Sequence, residues 1–294
     1  MANIVNNLQR LDRRYLYALL ILCVVAPFFL EFNPPVYPTK PSRDLFNMIQ
    51  SLPEHSFVLL GIDWSAGTRG ENLPETEAIM RHLMLRHLRF GMLAYSDPQG
   101  KTQGENAAIR IGKEFGYREG IDWVNIGFKV DMNNSLKAMD LNVPGTFSTD
   151  IHGNKLSSLP VMAGVHTAAD FSALIDITAT SSYQTYIQFV GGPYRLKTGI
   201  AVTAVMAPES FNYLDSGQIK GLLQGLSAAA EYETLVENEE QKEGHPLPPE
   251  TAIATKFNNS SSFAHLLIIL MIILGNAGML IERASKRREQ EASA

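Results

Sequence analysis

The sequence predicts an α/β domain, a mostly parallel sheet with helices on both faces, flanked by one transmembrane helix at each end. Three observations carry this. An uncharged apolar run lies near each terminus with basic residues on its outer side, proline-rich or acidic stretches separate those runs from the middle, and the middle alternates strand-like with helix-like segments.

The first apolar run, Tyr15 to Leu30, follows Arg10, Arg13 and Arg14; the second, Phe263 to Ile281, precedes Arg283, Lys286, Arg287 and Arg288. Each approaches the roughly 20 apolar residues that cross a bilayer as a helix. The positive-inside bias then places both termini in the cytoplasm and the middle outside, in a plasma (inner) membrane protein. A cleaved signal peptide competes for the first run, but Leu30, Glu31, Phe32, Asn33, Pro34 and Pro35 offer no small-x-small cleavage site. The expected boundaries are a cytoplasmic tail over 1–14, a membrane helix over 15–32, a proline-rich linker over 33–41, the outer domain over 42–236, an acidic, proline-rich linker over 237–262, a second membrane helix over 263–281 and a basic cytoplasmic tail over 282–294.

Seven of the 25 basic and five of the 30 acidic side chains lie in the two flanks, which leaves a net charge of −7 over residues 33–262. That sign argues against nucleic acid. The only cysteine, Cys23, lies in the first apolar run, so the outer domain has neither a disulfide nor a thiolate metal site.

The elements follow in order. A short helix over 42–52 opens the fold. Phe57 to Ile62, closed by Asp63, is a strand buried on both faces. Asn72 as cap, Pro74 in the first turn, and Glu75 and Glu77 near the positive end of the dipole announce a helix whose buried stripe is Ile79, Met80, Leu83, Met84 and Leu88. Phe90 to Tyr95 is the second strand. A capping box of Thr102 and Glu105 starts a helix that ends near Gly116, and Trp123 to Phe128 is the third strand. Further strands are expected at Leu174 to Thr178, Tyr186 to Val190 and Gly199 to Val205, the first two joined closely enough to be antiparallel. Residues 142–165 form a long connection. Asp215 and Gln218 cap a last helix with the stripe Ile219, Leu222, Leu223 and Leu226, beside which Gly217, Gly221, Gly225 and Ala229 recur once per turn. Glycine inside a helix costs about 1 kcal/mol relative to alanine, so close approach by the sheet or by a second subunit is expected there. The first half resembles Rossmann-like sheets in architecture, over about half the chain, and the resemblance carries no functional residue.

In open parallel sheets ligands sit beyond the carboxyl ends of the strands. There the sequence offers Asp63, Ser65, Gly67, Thr68, Arg69 and Gly70 after the first strand, Ser96 and Asp97 after the second, and Thr178, Thr180, Ser181 and Ser182 at the end of the fourth. Ser65, Gly67, Thr68, Arg69, Gly70, Ser96, Thr180 and Ser181 are the expected ligand-binding set, with an anion held on backbone N–H groups as one reading and positive φ at Gly67 or Gly70 as the plainer one. Neither the dinucleotide nor the phosphate-loop motif is present. His82 and His87, five apart, read as surface or boundary residues, and no metal or cofactor is expected. Asp150, His152 and His166 fall in or beside the long connection, and Asp63 with Asp97 offers two carboxylates to a cation.

Two functions fit. One is a non-enzymatic subunit of a cell-envelope membrane assembly such as a transport or export machine, docking through Gly217, Gly221 and Gly225 on other membrane-protein subunits or a second copy. The other is a tethered extracytoplasmic hydrolase or transferase using the strand-end crevice, with Asp63, Ser65, Asp97 and His166 as participants.

Overall fold

The computed structural model describes residues 12–29, 35–244 and 252–292, apart from the side chains of 285–289. It divides into two units, Met1–Pro34 with Lys256–Ala294, and Pro35–Thr255. In the second unit the elements are α1 (Lys40–Gln50), β1 (Phe57–Asp63), α2 (Arg69–Leu85), β2 (Arg89–Ala94), α3 (Gln99–Phe115), β3 (Trp123–Phe128), α4 (Met132–Ala138), α5 (Val143–Thr146), β4 (Ala173–Thr178), α6 (Ser182–Tyr186, continued by a π turn over Ile187–Gly191), β5 (Lys197–Val202), α7 (Ala207–Asp215), β6 (Gly221–Gln224) and α8 (Gly225–Glu243).

All six strands pair in parallel in the order β3-β2-β1-β4-β5-β6. Alternation along each strand sends Val58, Leu60, Ile62, Phe90, Met92, Ile175 and Ile177 to one face, under α1, α2, α3 and α8. Phe57, Leu59, Leu93, Leu174, Ile200 and Val202 go to the other, under α4 to α7. Both faces are covered, as parallel sheets require. The first crossovers, through α2 and α3, lie on one face and those after β4 on the other, so the connections diverge between β1 and β4.

The second half departs from the sequence reading. The expected strand over Tyr186–Val190 is helical, ending in the π turn. Tyr183, Tyr186, Ile187 and Val190 are the buried positions, a helical spacing that outweighs the apparent alternation. No antiparallel pair forms there, because β4 and β5 are parallel neighbours.

The expected helix over Asp215–Ala229 is also absent as such. Gly217 is an exposed turn residue at φ +74°, Gly221 opens β6, and Gly225 starts α8 at φ +67°. The three glycines therefore form no ridge. Gly221 stands beside Gly199 in the β5–β6 register, and together they make a flat seat for α1. A Cβ on Gly221 would lie 2.3 Å from the backbone N and Cα of Leu45, and one on Gly199 would lie 2.3 Å from Leu45 Cδ1. A Cβ on Gly225 would lie 2.6 Å from Glu71 Oε2. The close approach comes from the chain itself.

Other boundaries move for identifiable reasons. α2 starts at Arg69 rather than after Asn72, which is buried inside it. α3 starts at Gln99, where Asp97 Oδ1 accepts from Gln99 N at 2.7 Å, three residues before the expected capping box. The acidic stretch expected as a tether is helical up to Glu243 and ends on left-handed Gly244. It is held because Glu240, 1 % exposed, pairs with Arg81 Nη1 of α2 at 3.2 Å. Arg81 also pairs with Glu114 of α3. Pro246, Pro248 and Pro249 lie outside the described residues, and Asn258 to Ser262 belong to a long helix. His82, expected near the surface, is fully buried. Its Nε2 faces Gln50 Oε1 at 2.9 Å and its Nδ1 faces the Tyr232 hydroxyl at 2.6 Å, so Nε2 donates to the amide oxygen and Nδ1 accepts from the phenol. Burial lowers its pKa to about 3 and keeps the ring neutral.

In the other unit one helix among the described residues is long and apolar enough to cross a membrane, Ile253–Ala284, with mean hydropathy 2.3 in its most apolar stretch. The N-terminal run forms only Arg13–Val25 and then a 3₁₀ turn over Ala26–Phe28. At 1.5 Å per residue those 13 residues reach about 20 Å, short of a hydrocarbon core of about 30 Å. Pro27 ends the α-helix because its ring cannot sit in a helix interior. The carbonyl of Val24, at the helix end, accepts from Ser260 Oγ at 2.7 Å.

Replacing Gly221 with valine forces its side chain into the α1 backbone. We expect a loss of at least about 2 kcal/mol, read as a lower thermal midpoint of the detergent-solubilised chain, whereas Gly217→Ala, whose Cβ meets nothing within 4 Å, costs only the strain of left-handed backbone, about 1 kcal/mol.

Candidate functional site

The divergence of crossovers between β1 and β4 is where doubly wound sheets open a crevice. Here two carboxylates occupy it. Asp63 ends β1 fully buried, and its Oδ1 accepts from the backbone N–H of Tyr95 and of Ser96, each at 2.6 Å, which fixes the turn after β2. Asp176 lies on β4 opposite Gly61 in register. Only glycine suits that position, since a Cβ there would lie 2.2 Å from Asp176 Oδ1. Ser182 Oγ, at the start of α6, lies 2.6 Å from Asp176 Oδ2, to which it donates.

Three polar atoms in this cluster are buried without an aligned hydrogen-bond partner: Asp63 Oδ2, Asp176 Oδ1 and the Tyr186 hydroxyl. Burial raises both carboxyl pKa values. For Asp63 the two backbone N–H groups and Asp176 oppose it, whereas for Asp176 the charge of Asp63 adds to it. Asp176 therefore keeps its proton, and Asp63, also raised by burial, holds its own less tightly. Burial, and then Asp63 beside it, raise the Tyr186 pKa well above its ordinary value and hold the phenol neutral.

A second acidic group lies beside it. Asn72 Nδ2 reaches Glu75 Oε2 at 2.9 Å and the carbonyl of Thr178 at 3.3 Å, and Glu71 Oε2 accepts from Ala204 N at 2.8 Å. Glu75 is fully buried, and burial raises its pKa well above the usual range, so it too is a neutral acid. The N-terminal half of α2 thus turns carboxyl groups toward the strand ends, and an anion finds little welcome beneath the loop.

The structure brings some of the expected residues together. Ser96 Oγ and Thr180 Oγ1 meet at 2.9 Å across the end of β1. Thr180 Oγ1 also lies 3.1 Å from Thr178 Oγ1 and 3.3 Å from Ser182 N, which donates to it. Exposed Ser181 precedes α6. Ser65, Gly67 and Thr68 form a 3₁₀ turn ahead of α2, in which Thr68 Oγ1 donates to Ser65 O and Gln99 Oε1 accepts from Ala66 N at 3.1 Å. Arg69 is exposed, and neither Gly67 nor Gly70 has positive φ. The plainer reading of those glycines therefore fails: a Cβ on Gly70 would meet nothing within 4 Å. Asp97 is bonded into the start of α3. His166 belongs to the segment that enters β4 at its amino end, where its carbonyl accepts from Val143 N at 2.7 Å.

Comparison with protein-family models, with curated proteins and with solved structures returns no match. What the crevice does rests on its own chemistry. Its hydroxyls are bonded to one another and Asp63 Oδ1 accepts from two backbone N–H groups. Sequence reasoning placed Ser182 at the end of the fourth strand but missed Asp176 and Tyr186. The signal for Asp176 was an acid inside the apolar strand Ala-Leu-Ile-Asp-Ile-Thr, where an unpaired charge is not tolerated.

A carboxyl that holds its proton more tightly in the folded than in the unfolded chain stabilises the fold below its unfolded pKa and loses that contribution as pH rises through its folded value. Asp176 and Glu75 act in this sense, as do Glu233 and Glu240, both raised by burial to about 7. The thermal midpoint is thus expected to fall between about pH 5 and pH 8. Asp176→Asn keeps the shape and a donor and removes one titration, so its midpoint declines less steeply; parallel declines in wild type and variant would show that Asp176 is ionised in the fold.

Proposed function

We propose that this chain is a membrane-anchored, non-enzymatic subunit of a cell-envelope assembly, its acidic α/β domain on the extracytoplasmic side as a docking module. The observation that carries the reading is the helix Ile253–Ala284, apolar all round over Leu266 to Leu274 and basic at its far end through Arg283, Lys286, Arg287 and Arg288, joined to a Rossmann-like α/β unit of opposite charge balance. By the positive-inside bias that basic end lies in the cytoplasm of a plasma (inner) membrane. A second anchor over 15–32, with Arg10, Arg13 and Arg14 on the same side, completes the proposal. It draws on the apolar sequence and on the exposed side chains of Tyr15, Ile21, Leu22 and Phe29.

The non-enzymatic part rests on the strand ends. Ser96, Thr178, Thr180 and Ser182 bond among themselves and to Asp176, and Asp63 is engaged by backbone. Of the residues expected to take part in catalysis, His166 lies toward the amino end of β4, away from the strand ends that carry Asp63. Partners are other membrane-protein subunits or a second copy of this chain, and a small ligand at the crevice would be a polar, uncharged or cationic molecule. An acidic body of this charge does not suit nucleic acid.

Protease added to spheroplasts should digest the domain while a reporter fused after Ala294 stays intact; a protected domain with a digested reporter would reverse the topology. On a native gel in mild detergent the chain should migrate as an assembly larger than a single copy. Migration as a lone chain would contradict the subunit reading.

A further inference from the structure

Away from the crevice, beside the edge strand β3, three side chains from three separate segments converge. Glu105 projects from α3, Glu119 lies in the turn before β3, and His152 lies in the loop that crosses the edge after α5. One ligand atom from each lies within 4.8 Å of the others. His152 Nε2 is 3.1 Å from Glu119 Oε1 and 3.3 Å from Glu105 Oε1. Glu119 Oε1 is a buried oxygen whose ion-pair partner is the His152 imidazole. Around a tetrahedral zinc ion, with ligands at about 2.0–2.1 Å, neighbouring donor atoms stand about 3.3 Å apart. The two spacings from the imidazole nitrogen match that edge.

The frame around these residues is fixed independently of any ion. Ile151 N donates to Asn125 O of β3 at 3.0 Å, and Gly120 N donates to Trp123 O at 2.7 Å. Asp150 Oδ1 accepts from His152 N at 2.9 Å and from Asn154 N at 2.8 Å, which sets the turn that presents the ring. Gly127 gives the loop room to sit on β3, since a Cβ there would lie 2.7 Å from Ile151 Cγ2. Two carboxylates facing each other at this range repel, and one imidazole nitrogen has only one proton with which to satisfy them. A divalent cation answers both charges at once.

We propose that Glu105, Glu119 and His152 form a binding site for a first-row divalent cation, of which zinc best suits one imidazole and two carboxylates. Two carboxylates and a neutral imidazole balance its charge, and solvent completes the coordination on the open side, where the His152 side chain is 49 % exposed. The bound ion clips the crossing loop to α3 and to the turn before β3, and so covers an otherwise open sheet edge. This inference is independent of the membrane reading.

The test uses the full chain in detergent, free of any polyhistidine tag and stripped with a chelator, titrated with zinc chloride against a coloured zinc indicator. Wild type is expected to withhold one equivalent from the indicator and to melt at a higher temperature with zinc, as binding to the folded state alone requires. His152→Ala and Glu105→Gln should each lose that equivalent and the zinc-dependent shift while keeping the wild-type circular dichroism spectrum. Should His152→Ala misfold, Glu105→Gln on the surface of α3 decides alone. No equivalent withheld by wild type, meaning an ion pair only, or an equivalent retained by both variants, would overturn the site.

Discussion

A single proton at the centre of the sheet is the constraint on which the strand ends depend. Asp63 and Asp176 are both buried where the crossovers diverge, and two ionised carboxylates there would cost several kcal/mol each to desolvate. With Asp176 protonated two like charges do not face each other, and the N–H groups of Tyr95 and Ser96 stand in for water at Asp63. The consequences spread outward. Gly61 must lack a side chain to admit Asp176, the turn after β2 is pinned by Asp63, and α6 begins where Ser182 reaches Asp176. The crevice that a doubly wound sheet opens at this point is thus braced from within.

The same logic separates structure from function in the rest of the domain. Acids pair inward throughout: Glu240 with Arg81, Glu231 Oε2 with Ser42 Oγ at 2.7 Å and with Thr39 N at 2.9 Å, and Glu233 with the N–H groups of Ala254 and Thr255. These contacts tie α1, α2 and α8 into one layer and explain how a strongly acidic stretch can be helical and partly buried. The Glu105, Glu119 and His152 group stands apart, because two carboxylates there share a single imidazole nitrogen.

Much of the first half was legible in the sequence, because its signals are local. β3 has the expected bounds, β1 runs one residue longer at its end, and β2 is shifted by one residue at both ends. Continuous apolar runs, a glycine stop at Gly116 and helical stripes depend on neighbours within a few residues. The second half was misread where the deciding partner is distant. Gly221 looked like a helix glycine because Ile219, Leu222, Leu223 and Leu226 fit a helical period, yet its reason is Leu45, far away in sequence. Glu240 looked like part of a tether because Arg81, which neutralises it, lies in α2. At the site, Asp63, Ser96 and Thr180 were found from their place at strand ends. Asp176 was passed over as part of a strand, since its tolerance depends on Gly61 across the β1–β4 pair.

The direct measurement is infrared spectroscopy of the carboxyl groups at neutral pH, as the difference between wild type and Asp176→Asn. The account predicts that the variant loses the C=O band of one protonated acid while the carboxylate bands keep their intensity. Loss of carboxylate intensity with no change in the protonated band would mean that both aspartates are ionised, and would contradict it.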